Sequence, residues 1–270
     1  MDPLGWGVSG IVCQIWQTRQ SRRRGAGPAV ACKCLLAKAL AGQTRLAWIL
    51  ERSVLRTRPD PMSLRILYDE HSGALSYLLA DEAAHEAALV DPRSGDRPVL
   101  MALLDEAGLR LRWVLRTHEH DGHDDQPPGE FGRLLHLGAP VVQGARREGV
   151  CSVADGERLP LGAGFVQVLH TPGHTAHCQS YLWQDRVFCG DLLTVDACPW
   201  QPGPAQPPAL WDSVQQRIFT LPDETLLYAG HARRARVVST VLEQRRWNPH
   251  FAGLTRDGFF ARMGSMAVQR

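Results

Sequence analysis

The chain has 270 residues, 44% of them apolar and 21% charged, with a formal net charge of +2. That composition supports one substantial globular core and excludes a disordered or fibrous chain. Seven cysteines, at 13, 32, 34, 151, 178, 189 and 198, form an odd set without a repeating spacing, which argues against a secreted disulfide framework and for a reducing compartment.

Charge is unevenly spread. Residues 1–61 carry ten basic and three acidic residues (+7), leaving twenty and twenty-five (−5) for the rest. A domain of that sign lacks the basic footprint of a nucleic-acid binder, and no apolar run reaches the roughly 18–20 residues needed to cross a bilayer. No nucleic-acid or membrane partner is therefore expected. Arg58-Pro59-Asp60-Pro61 breaks structure just before Met62, so residues 1–61 are expected to be a poorly ordered basic extension and 62–270 the folded domain. The alternative is a targeting segment, since the extension is Arg-rich and acid-poor. The expected location is cytoplasmic, or an organelle matrix if that alternative holds.

From Met62 the pattern becomes regular. Runs 63–68, 75–80 and 87–90 are bounded by turn residues and predict strands. Val99, Leu100, Leu103 and Leu104 at helical spacing predict a helix over 98–108, followed by a strand over 111–115. Pro127-Pro128 predicts the start of a helix ending before Gly138. Strands are expected at 140–143, 165–169, 180–183, 187–189 and 225–228. A proline-rich loop is expected over 198–208, and helices over 210–219, 237–247 and 256–263. Strands interleaved with helices give an α/β protein.

The chemistry gathers at strand ends. Leu111–Leu115 runs into Thr117-His118-Glu119-His120-Asp121-Gly122-His123. Phe165–Leu169 runs into His170-Thr171-Pro172-Gly173-His174, Arg186–Cys189 into Gly190-Asp191, and Thr225–Tyr228 into Ala229-Gly230-His231. Four strands each releasing a His or Asp through a turn point to one metal site at a sheet edge. Solvated surface histidines, a satisfied polar core and an adventitious cluster are the alternatives. Cys178 and Cys189 fall in or beside strands and are expected to be small buried apolar residues rather than nucleophiles. His177 is expected to be a half-exposed polar side chain. There is no GxSxG elbow and no phosphate-cradling glycine loop.

The ordered set THEHDGH, HTPGHT, CGD and AGH resembles the metallo-β-lactamase superfamily, whose fold is a four-layer αβ/βα sandwich. Within it the chain most resembles the persulfide dioxygenase branch, with glyoxalase II as a close relative. The resemblance extends from about Leu64 to the C-terminus. It implies that His118, His174 and Asp191 hold one Fe(2+) per chain. It also implies that His120, His123 and His231, with Asp121 beside them, form the surround or the second metal site that the hydrolases use. Two imidazoles and one carboxylate leaving open positions is, independently, the donor set suited to non-haem iron and dioxygen.

Two departures from the family pattern bear on function. The superfamily aspartate of HxHxDH would fall at 122, where this chain has Gly122, with its carboxylate at Asp121 instead. This disfavours a dinuclear zinc hydrolase acting through a bridging hydroxide. The segment after the metal aspartate, 194–208, lacks the arginine that the dioxygenases place there. Arg233, Arg234 and Arg236 are the alternative source of charge for a substrate carboxylate, unless they are simply a solvated loop and helix start. The expected partners are thus a small thiol persulfide and O2, and a homo-oligomer is compatible with the sequence. The leading expectation is an iron persulfide dioxygenase yielding sulfite and thiol. A zinc-dependent thioester hydrolase, with Zn(2+) in place of iron, and a catalytically degenerate binding scaffold are the alternatives.

Overall fold

Side chains along β2 (Leu75–Asp81) alternate between two cores, and that alternation sets the architecture. Leu75, Tyr77 and Leu79 enter one apolar cluster, while Leu78 and Ala80 enter another on the opposite face, as the two-residue period of a strand requires. A strand buried on both faces needs a layer on each side. The computed structural model, which describes residues 62–119, 129–194, 206–233 and 236–268, supplies them.

The first sheet contains β1 (Met62–Tyr68), β2, β3 (Glu86–Val90), β4 (Arg110–Leu115), β5 (Val141–Val142) and β6 (Val150–Cys151), in that spatial order. Its first three strands are antiparallel and the rest parallel. The second contains β7 (Arg158–Leu161), β8 (Gly164–His170), β9 (Gln179–Trp183), β10 (Arg186–Gly190), β11 (Leu226–Arg233) and β12 (Arg236–Thr240), again in sequential order. There β10 and β11 are the parallel pair. Between the sheets lie Tyr77, Leu79 and Val90 from one side and Val168, Tyr181, Trp183 and Phe188 from the other. The hydroxyl of Tyr77 crosses this layer to donate to the carbonyl of Ala229.

Helices cover both outer faces. Helix α1 (Arg97–Glu106) buries Leu100 and Leu104, one turn apart, against the first sheet. It is joined there by α2 (Glu130–Leu134), which continues as a 3₁₀ turn to Leu137. The second sheet is covered by α3 (Pro207–Ser213), α4 (Val241–Trp247) and α5 (Arg256–Val268). There Trp211, Phe251 and Phe259 pack with ring centroids 4.9–5.9 Å apart, within the range of favourable aromatic pairs. The result is the expected four-layer αβ/βα sandwich. Among the described residues no helix is long and apolar enough to cross a membrane.

Several expected elements are corrected. Residues 237–240, expected to be helical, belong to β12, where Val237, Val238 and Thr240 suit a pleated strand. The helix starts only at Val241, capped by Thr240 Oγ1, which accepts from Glu243 N at 3.1 Å. Pro207 and Pro208, placed in a loop by their composition, instead open α3, because proline is well tolerated in the first helical turn. That helix ends in a π-helical turn, Val214–Ile218. The short strands β6 and β7 were not expected, and β7 tolerates Pro160 because it is an edge strand. Residues 1–61, the Pro127-Pro128 helix start and residues 198–205 of the proline-rich loop lie outside the described residues.

Candidate metal centre

Strands β8, β10 and β11 run in the same direction, so their carboxyl ends open at one edge of the second sheet. The carboxyl end of β4 in the first sheet meets them there. His118 follows β4, His174 follows β8, and Asp191 follows β10 directly. Their exposures are 2%, 3% and 5%. Each offers a donor atom within 4.8 Å of the other two, the one such set among the described residues. His118 Nε2 lies 3.8 Å from Asp191 Oδ2, and the two imidazoles meet edge to face with centroids 4.6 Å apart.

The partners behind these groups set their chemical state. Thr117 N and Oγ1 donate to the two oxygens of the buried Asp91, each at 2.7 Å. Having given its one proton to Asp91, the Thr117 hydroxyl can only accept at its 2.9 Å contact with His118 Nδ1. This assigns the proton of His118 to Nδ1 and leaves the Nε2 lone pair facing Asp191, the tautomer a metal ligand needs. Asp191 is held in turn by His231, whose Nδ1 lies 2.7 Å from its Oδ1. Burial alone would raise the Asp191 carboxyl. In the metal-free protein the His231 hydrogen bond and the positive charges that His231, His118 and His174 carry when protonated outweigh it and hold the group well below the usual carboxylate range.

Close approach at this edge requires two glycines. A Cβ on Gly190, which has φ of +53°, would lie 2.1 Å from Thr117 Oγ1, and one on Gly230 would lie 2.5 Å from Asp191 Oδ1. The chain thus packs backbone against the groups that aim the donors.

His231 is not on a loop after its strand. It lies within β11, where the pairing with β12 shifts between Tyr228 and Arg233. His120, Asp121 and His123, with Gly122, lie outside the described residues, as does Arg234. The backbone of Arg233 pairs with that of Arg236. Arg236, expected in a loop or helix start, begins β12, and its guanidinium pairs with Glu243. Burial pushes the Cys178 thiol up to about 11, against the opposing hydrogen bonds of Thr175, and the Cys189 thiol up to about 12, so both are inert. His177 is exposed. Sequence reasoning missed Asp91 and Thr117 as site residues. The signal was present in Asp91-Pro92 closing an apolar run and in a hydroxyl next to His118.

Two sheets sharing a buried core, with a His/His/Asp cluster where their edges meet, define an α/β sandwich with a candidate metal site. The chain belongs to the metallo-β-lactamase superfamily. It is 33% identical over 218 residues to the human protein named persulfide dioxygenase ETHE1, mitochondrial, covering 78% of this chain and 84% of that one. The crystal structure of ETHE1 from Myxococcus xanthus superposes with a TM-score of 0.69 at 36% identity, covering 76% of this chain and 91% of that one. A mouse hydroxyacylglutathione hydrolase-like protein is 33% identical over 167 residues, 57% of this chain and 56% of its own. No family model matches the chain.

Proposed function

We propose that this protein is a mononuclear non-haem iron dioxygenase that oxidises a thiol persulfide to sulfite and free thiol. The observation that carries the proposal is the buried convergence of His118, His174 and Asp191 donor atoms within 4.8 Å. Two neutral imidazoles and one ionised carboxylate fit a single ferrous ion and leave half of an octahedral set of positions open. Iron held there would supply a site at which dioxygen and a soft sulfur bind side by side. In the overall reaction both atoms of O2 end on the outer sulfur, which loses four electrons. Water then cleaves the S–S bond, releasing thiol, sulfite and two protons.

The chain's own residues orient and insulate. Thr117 fixes the His118 tautomer, His231 fixes the Asp191 rotamer, and the low exposure of all three donors keeps bulk water from the face they share. The likeness to proteins named persulfide dioxygenase supports the choice of substrate class. The same proposal takes residues 62–270 as the catalytic domain and 1–61 as an extension. It places the protein in the cytoplasm, or in an organelle matrix if that extension acts as a targeting segment.

The test is metal content and oxygen consumption on the purified chain. About one iron per chain, with O2 uptake that depends on added glutathione persulfide, is the expected result. Two zinc ions per chain without such uptake would overturn it. The second reading is a zinc-dependent hydrolase of a thioester, favoured by the likeness to the hydroxyacylglutathione hydrolase-like protein. Thioester cleavage by zinc-loaded protein would favour that reading.

A further inference from the structure

We propose that Gln143 is a positioning residue for the candidate metal centre. Its amide ties Arg116 to Glu119, so the two residues flanking Thr117–His118 are held by one side chain just past the end of the neighbouring strand. The inference rests on reading His118 as a metal ligand.

Gln143 directly follows β5 and is 1% exposed. Its Oε1 accepts from Arg116 Nη1 at 3.0 Å, while its Nε2 donates to Glu119 Oε1 and to the Ala145 carbonyl, both at 3.4 Å. A guanidinium can only donate and an ionised carboxylate can only accept. Of the common side chains, an amide in this orientation serves both at once. A carboxylate at 143 would repel Glu119, an ammonium would repel Arg116, and a hydrocarbon would leave buried polar atoms behind.

The brace is two-sided because of the strand order. Extending from β4, Thr117 is anchored to Asp91 at the end of β3, and Glu119 to Gln143 at the end of β5. The second sheet adds backbone restraints. Tyr181 Oη donates to the Arg116 carbonyl at 2.8 Å, and Gln179 N donates to the Thr117 carbonyl at 2.7 Å. The Gln179 side chain is buried in the same cluster, with its Oε1 3.1 Å from the Tyr181 hydroxyl. Burying a guanidinium and two amides costs more than an apolar plug would. Here they back one segment, 116–119, from which His118 points at Asp191.

The test uses the full chain with Co(II) as the probe. Affinity is read by competition with a chromophoric chelator, geometry by the Co(II) d–d absorption bands, and folding by Tm. Gln143→Leu and Gln143→Glu are each expected to weaken Co(II) binding about tenfold or more and to shift the bands. Glu119→Gln retains an acceptor and is expected to stay within about twofold of wild type, whereas Glu119→Leu should match Gln143→Leu. The double variant should bind no more weakly than Gln143→Leu alone, because the two residues act through one contact. Should Gln143→Leu fail to fold, the two Glu119 variants on the half-buried loop decide the matter. His118→Ala separates the two levels of the argument. If it binds Co(II) like wild type, the metal-centre reading fails and this inference with it. If it loses Co(II) while the Gln143 and Glu119→Leu variants keep wild-type affinity and bands, or if their losses add in the double variant, only the role of Gln143 is overturned.

Discussion

His231 Nδ1 lies 2.7 Å from Asp191 Oδ1, leaving the other carboxylate oxygen turned toward His118. One imidazole thereby decides which oxygen of the acid remains available. Replacing it, His231→Ala, is expected to weaken metal retention by about 10–100-fold with little change in fold, as read by chelator competition and far-UV circular dichroism. Unchanged retention would remove His231 from the site's working parts.

The same contact predicts a pH dependence for protein stripped of metal. The folded-state value of Asp191 lies below the ordinary 3.8. Its contribution to stability is therefore complete above that value and is lost as the pH falls through it toward the depressed folded value. The Tm advantage of wild type over Asp191→Asn should shrink between about pH 5 and pH 3. An advantage that stays constant or widens on acidification contradicts the assignment.

Thr117 links Asp91 to His118 through one hydroxyl. Thr117→Val removes one hydrogen-bond partner from a buried carboxylate and one from the His118 imidazole, a loss of about 2 kcal/mol. That should lower Tm by roughly 4–8 °C and weaken metal binding. Thr117→Ser keeps the hydroxyl and should restore both. A Thr117→Ser variant no better than Thr117→Val would show that the hydroxyl relay is not what matters.

Gly190 combines a left-handed backbone with contact against Thr117. Gly190→Ala is expected to cost roughly 1–2 kcal/mol from the backbone alone, and more from overlap with the Thr117 hydroxyl. Thermal denaturation and metal content should fall together. A stable, metal-binding alanine variant would mean that the Gly190–Thr117 approach is not needed.

Cysteine chemistry separates by burial. With their thiols pushed up to about 11 and about 12, Cys178 and Cys189 should alkylate at pH 8 at least roughly 100-fold more slowly than the exposed Cys151. Peptide mapping after a timed iodoacetamide pulse measures this, and comparable rates would refute it.

What the sequence made legible follows from period and punctuation. The apolar runs ending at Leu115, Leu169, Cys189 and Tyr228 announced strands, and the turns after the first three announced that their polar residues would share an edge; His231 reaches it from within β11 instead. Residues 237–240 misled because a short β-branched run next to a genuine helix carries too few residues to show its period. The Thr240-Val241-Leu242-Glu243 cap was the better guide to the boundary. Asp91, Gln143 and Gln179 could not be placed from spacing. Their partners lie 24 to 62 residues away on other strands, and only the strand order brings them together.

His118 comes from the first sheet, whereas His174 and Asp191 come from the second. Neither half of the sandwich owns the cluster, so it comes into being only when the halves dock. A nascent or partly unfolded chain carries its would-be donors scattered, with no ion-holding set assembled prematurely. Retention of an ion then doubles as a gauge of whether the seam between the halves has closed.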